Sequence, residues 1–201
     1  MEISIQNNIK EVTRGLNKMQ RKQIPFATSQ ALNDVAKNLA RKQMPIEMQA
    51  TFQGGATGHT KRAFLYDRSN KRNLRARVFT NPRTHEYMSY MVHGGQRLPK
   101  RRAIFIPSRS VKRNKHGNVT RSRMQKMITD RSKFFTKNDK KYEKFGRGGS
   151  KTRLVGVYKS SAMYRPVLPL EKIARSYVYS ASVGFTPRFR ERLTKALATA
   201  R

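Results

Sequence analysis

The chain has 201 residues, of which 45 are Lys or Arg and only 11 Asp or Glu, a formal net charge of +34. Such a charge repels itself in the folded state and calls for a polyanion nearby, most simply nucleic acid, whose phosphates release condensed counterions as basic side chains replace them. The absence of Cys excludes a disulfide framework and a thiolate metal site, no apolar run approaches the length of a membrane span, and the opening MEISIQNNIKEV lacks the apolar core of a signal peptide.

Ile5, Ile9, Val12, Leu16 and Met19 recur at alternating spacings of four and three, the stripe of an amphipathic helix. QRKQIP then reads as a turn, and Pro25 suits the first turn of a second helix with Ala31, Leu32, Val35, Ala36 and Leu39 on its apolar face. The two helices are expected to form a hairpin, which Pro45 stops or kinks. Residues 44–52 add a short helical turn, and the Gly-rich stretch QGGATGHT at 53–60 ends the helical region.

A β region follows. Residues 63–66 form a short apolar strand. Residues 73–80 alternate Leu74, Ala76 and Val78 inward with Arg75, Arg77 and Phe79 outward, and DRSNKR links the two as a hairpin loop. Residues 103–106 and 154–158, rich in β-branched and aromatic side chains, are further strands. Two helices close the chain, over 170–182 and over 187–200. The second carries Phe189, Leu193, Ala196, Leu197 and Ala200 on one face, with Thr186 as N-cap and Pro187 in its first turn. The order of elements implies an α+β fold. An N-terminal helical hairpin packs on a small, mostly antiparallel sheet, with C-terminal helices and a long basic inserted arm. Residues 1–106 and 154–201 make one domain, and 107–153 is the inserted loop or arm.

From Arg97 to Arg153 there are twenty Lys and Arg against three acids, Asp130, Asp139 and Glu143. The segment has little core-forming periodicity except over 121–129, where Met124, Met127 and Ile128 give a short helix its apolar side. The remainder is expected to be ordered only by neighbouring subunits or nucleic acid.

No catalytic constellation assembles from these residues. The acids are scattered, and His59, His85, His93 and His116 lack metal-ligand spacing. GGQR at 94–97 and GRGGSK at 146–151 miss the phosphate-loop spacing and read as turns or tethers. The expectation is a protein that is not an enzyme and needs no cofactor or metal. Arg131, Lys133, Phe134, Phe135, Lys137, Lys140, Lys141, Tyr142, Lys144 and Phe145 interleave cations with rings. They suit either a nucleic-acid strand with stacked bases or packing on a neighbouring subunit, and the second is favoured because no recognised single-strand-binding fold accompanies them. With no helix-turn-helix, zinc-finger or RNP signature, sequence-specific readout is not expected. Nonspecific phosphate contacts to double-stranded DNA fall to Lys112, Arg113, Lys115, Arg121, Arg123, Lys126, Arg131 and Lys133.

PFATSQALNDVAKNLARKQMPIEMQATF, residues 25–52, resembles the opening of tailed-phage minor tail proteins of the Z type, which begin with an amphipathic helix and a Pro/Ala-rich helix and are very basic. KRAFLYDRSNKRNLRARVF resembles that family's first β-hairpin, MSYMVHGGQRLPKRR its Gly-Gly-x-Arg region, and RNKHGNVTRSRMQKMI a Gly-Asn turn of related prophage proteins. MYRPVLPLEKIARSY, residues 163–177, is similar to the Pro-x-Leu-Pro lead-in to the last helices of the tail-completion and head–tail connector group. The likeness covers roughly two-thirds of the chain, as pattern and order, and residues 130–153 have no counterpart in it. It implies a structural virion protein of the neck or upper tail, assembled in the host cytoplasm. Its partners would be copies of itself in a ring, commonly hexameric, other phage neck and tail proteins, and the end of the double-stranded DNA genome, with no membrane. The alternative is a ribosomal or other basic RNA- or DNA-binding protein, in which long basic arms without Cys are common.

Overall fold

Ala27, Ala31, Leu32, Val35, Ala36, Leu39 and Ala40 are all fully buried, and they share one broad face of a single long helix, α1 (Lys18–Asn38), and its continuation. In the computed structural model, which describes residues 2–6 and 18–198, this helix is the axis of the first of two compact units. That unit comprises residues 1–92 and 167–201, and the second comprises 93–166. The α+β class is as expected, with 45% helix and 22% antiparallel strand. Among the described residues no helix is long and apolar enough to cross a membrane.

Two expectations at the N-terminus need correction. Glu2–Gln6 is not helical but a strand, β1, pairing antiparallel with a later strand so that Ile5 lies opposite Ala76. The turn expected at QRKQIP is instead helix interior, and Pro25 lies well inside α1, where it forfeits a backbone hydrogen bond. Ile9, Val12 and Leu16 of the predicted stripe lie outside the described residues.

Pro45 acts as expected of a helix breaker, in a particular way. Lacking an N–H, it leaves one carbonyl of the preceding turn without its usual partner. The backbone widens into a π-helical turn at Leu39–Gln43, in which the N–H of Met44 donates to the carbonyl of Leu39. Helix then resumes as α2 (Met44–Thr51), with Met44 and Met48 in the core.

β2 (Phe64–Asp67) and β3 (Arg75–Thr80) form the predicted hairpin, and the sheet order is β1–β3–β2. Ala76, Val78 and Thr80 are buried, as the alternation requires. The polar hairpin loop is stitched to α1: the backbone N–H of Ser69 donates to Asn33 Oδ1 at 2.7 Å, and Asn33 Nδ2 donates to the carbonyl of Ser69 at 3.1 Å. Ser69 Oγ donates in turn to the carbonyl of Ser29 at 2.9 Å. Helix α3 (Pro82–His93) was not expected. It starts on a proline, Asn81 Oδ1 accepts from the N–H of Arg83 at 3.0 Å, and Thr84 and Met88 are buried one turn apart.

The chain leaves this unit after α3 and returns at Val167. The departure and return are fastened together, because the N–H groups of Val167 and Leu168 both donate to the carbonyl of Met91, at 2.8 and 2.9 Å. Leu168, Leu170, Ile173 and Ala174 then complete the core, the last three from α5 (Leu170–Val178). The final helix, α6 (Phe185–Ala198), packs along α1. Arg192 donates to Asp34 across that contact at 2.6–2.7 Å.

The second unit shows that the insertion is folded rather than an arm, and wider than 107–153. It holds a two-stranded ladder, β4 (Gly95–Arg97) with β9 (Ala162–Tyr164). It also holds a four-stranded antiparallel sheet of β5 (Ile104–Pro107), β6 (Phe134–Lys137), β7 (Lys140–Phe145) and β8 (Lys151–Lys159) in the order β5–β8–β7–β6. Helix α4 (Arg121–Thr129) matches the predicted span, with Thr120 as its N-cap. Met127 is buried and Met124 packs beside it. Ile128, expected on the same side, is 62% exposed. The small core is Val111, Met127, Phe134 and Val155.

Leu32 and Leu39 have no exposed surface, so Leu32→Ala and Leu39→Ala should each destabilise the protein by about 2–5 kcal/mol. Denaturant titration checks this: the midpoint falls while the slope holds.

Candidate nucleic-acid interface

Residues 93–166 carry 22 Lys and Arg against three acids, more than half of the chain's net charge in little over a third of its length. A sheet forms among so many like charges because of two local devices. The first is the β6–β7 turn. Asn138 and Asp139 both have positive φ, 48° and 57°, and Lys137 pairs with Lys140 around them. This is the two-residue hairpin loop whose twist matches that of the strands, and Asn and Asp tolerate the left-handed region better than other side chains.

The second device is Glu143. On β7 it lies opposite Phe134 of β6 on one side and Arg153 of β8 on the other, and it is only 2% exposed. Arg123 of α4 donates to its Oε2 at 2.7 Å, Arg153 donates to the same oxygen through Nε at 2.9 Å and a terminal nitrogen at 2.8 Å, and Lys133 Nζ lies 3.8 Å from Oε1. The Arg123 guanidinium also sits 5.4 Å over the Phe134 ring. Burial alone would push the Glu143 carboxyl up. The hydrogen bonds and charges of Arg153 and Arg123 outweigh it and hold the group below the ordinary carboxylate range. Asp130, at the end of α4, is also held low, first by the hydroxyl of Ser132 at 2.6 Å and then by the N–H of Lys133 at 3.0 Å. It shapes the turn into β6.

These contacts divide the eight predicted phosphate-binding residues. Arg123 and Lys133 are engaged with Glu143. Arg113 donates to the carbonyls of Gly117 and Pro107 at 3.0 and 3.2 Å, bracing the loop before α4. Lys112, Lys115, Arg121, Lys126 and Arg131 carry exposed side chains on that loop, on α4 and on the turn after it. The structure thus brings five of the eight to the surface of one continuous segment and uses three in holding the fold.

The interleaved aromatic and basic run is divided by the strand pleat. Phe134 points into the core, whereas Phe135 and Tyr142 lie half-buried on the opposite face, stacked at 5.4 Å with an 18° angle between the rings. Lys144 Nζ lies 5.8 Å from the Phe135 ring centre on that face, and Phe145 is flanked by Arg153 at 5.5 Å. Of the two glycine motifs, GRGGSK is the turn between β7 and β8, as expected. GGQR is not a tether: its residues 95–97 form β4. Among the described residues no three His, Asp or Glu gather as metal ligands. His85 shares a 2.7 Å hydrogen bond with Thr80.

No family model matches the chain, no curated protein is similar to it, and no solved structure matches it.

Because the Glu143 carboxyl is held low in the folded protein, its contribution is complete above the unfolded-state pKa and is lost as pH falls through the folded one. Glu143→Gln leaves three cations facing one another. Since its Arg partners keep partial access to water, the loss at neutral pH should be about 2–3 kcal/mol, below that for a wholly buried pair. In acid the variant and the parent should converge, which hydrogen exchange of the β7 and β8 amides across a pH series would register.

Proposed function

We propose that this chain is a non-enzymatic structural protein of a tailed-phage virion, completing the tail or joining head to tail. In this reading copies of it form a ring around the DNA path, against other neck and tail proteins. The observation that carries the DNA contact is the uncompensated positive surface of residues 93–166, where the buried Glu143 is already engaged by three cations and Asp130 is tied into its own turn. Cations crowded on one exposed segment, Lys112, Lys115, Arg121, Lys126 and Arg131, lower their mutual repulsion by binding phosphates, and point charges on a loop and a short helix position DNA without reading its bases. The virion setting is supported by the order of motifs that resembles the minor tail and tail-completion proteins. A ribosomal or other basic RNA-binding protein would share the charge, and co-sedimentation with ribosomes would identify it.

The test is binding to two unrelated DNA duplexes across a salt series. The parent should bind both equally and with a steep salt dependence. A variant with Lys112, Lys115, Arg121, Lys126 and Arg131 changed to Gln keeps the cations that brace the fold. Each lost phosphate contact should reduce the slope of log affinity against log salt by about 0.9. An unchanged slope would place the duplex surface elsewhere. Light scattering over a dilution series should show a discrete oligomer, and a monomer at every concentration, free and in the particle, would overturn the ring.

A further inference from the structure

We infer that the face of the four-stranded sheet turned away from α4 is a binding platform for single-stranded nucleic acid, separate from the duplex-contacting segment and independent of the virion reading. Registers across the sheet put Phe135, Tyr142 and Leu154 in one row and Lys140 beside Val157, all on this face, with Lys144 one pleat further along β7. Phe135 and Tyr142 are stacked on each other and half-buried, so the pair is held rigid on the sheet with part of its ring surface still open to solvent. Lys137, Lys140 and Lys144 are exposed around them, and no acid of β6, β7 or β8 lies on the same side, since Glu143 points the other way. Rigid rings within a ring of ammonium groups fit a ligand that alternates flat apolar surfaces with negative charges. An unpaired nucleotide strand is such a ligand; a duplex hides its base faces, and an acidic peptide has none.

The end of the sheet beside the β6–β7 turn adds a backbone site. Beyond the β6–β7 turn a cleft of about 550 Å³ is lined by Arg102, Tyr158, Lys159, Ser160 and Ser161, with Asp139 at the turn itself. Two cations and the hydroxyls of Tyr158, Ser160 and Ser161 outnumber the one carboxylate there and suit a phosphate of the strand leaving the platform. The division of labour is therefore readable: rings for bases, cleft and lysines for phosphates.

The test uses the full chain and two probes, a short oligothymidine and an abasic oligonucleotide of equal length and charge. The oligothymidine should bind more tightly, by about fivefold to a hundredfold per stacked base. Phe135→Leu with Tyr142→Leu, which keeps apolar bulk on the sheet, should erase that difference while leaving abasic binding in place. Arg102→Gln with Lys159→Gln should weaken both probes alike. The five-fold Gln variant on the α4 segment should preserve the preference, which separates this site from the duplex site. Equal binding of the two probes by the parent would overturn the platform without recourse to any variant. So would a duplex that binds this face as well as the single strand, or polyglutamate that displaces the oligonucleotide at equal charge.

Discussion

A buried carboxylate bonded to two guanidiniums organises the second unit. The strands β6, β7 and β8 and the helix α4 are too basic to condense on apolar burial alone, since their shared core is four side chains. Glu143 draws Arg153 from the adjacent strand, Arg123 from the helix and Lys133 from the lead into β6. One negative charge thereby fixes three elements relative to one another and cancels repulsion where it is most concentrated. An apolar residue in its place would leave Arg123 and Arg153 facing each other, whereas a carboxylate exposed to water would attract them weakly. The position is thus determined by both charge and burial.

The first unit is held by different means. Its core is conventional in content, Leu, Val, Met and Phe on a helix and a three-stranded sheet, and the distinctive contact is polar. Asn33 and Ser69 exchange two hydrogen bonds of 2.7 and 3.1 Å between α1 and the β2–β3 loop. Such a pairing satisfies groups that the packing would otherwise strand, and it fixes how the hairpin is set along the helix. The π-helical turn before Pro45 keeps Leu39 and Ala40 in the core while the chain accommodates the missing donor.

Local signals carried much of this in the amino-acid sequence. The stripe from Ala31 to Leu39, the alternation from Leu74 to Thr80 and the helix at 121–129 each have a clear period, and each is found. Ile5 misled because its spacing to Ile9 and Val12 mimics a helix, while Ile3 and Ile5 equally satisfy a strand. What decides between them is a pairing partner more than seventy residues away, which no local pattern contains. The β6–β7 hairpin was obscured by its lysines, although Asn138–Asp139 between two β-prone runs is a recognisable turn signal. Glu143 was counted only as one of three acids, because its role arises from strands meeting in space. Among the residues expected to contact phosphate, the difference between Arg123 and Arg121 is one of helix face relative to Glu143, and composition does not see it.

The joint at Met91 has its own consequence. Its carbonyl accepts from both Val167 and Leu168, and just beyond it Gly95 faces Tyr164 across the β4–β9 ladder. Gly94 sits so near Pro166 and the carbonyl of Tyr164, each 2.8 Å from where a Cβ would stand, that no larger residue fits. The two strands of chain leaving the helical unit are thus zipped at their base, whatever lies beyond. Closing a longer or shorter excursion between fixed ends changes the entropy only logarithmically with length. The Met91 joint therefore lets the first unit close its own chain around an insertion at a cost that depends little on the insertion's length.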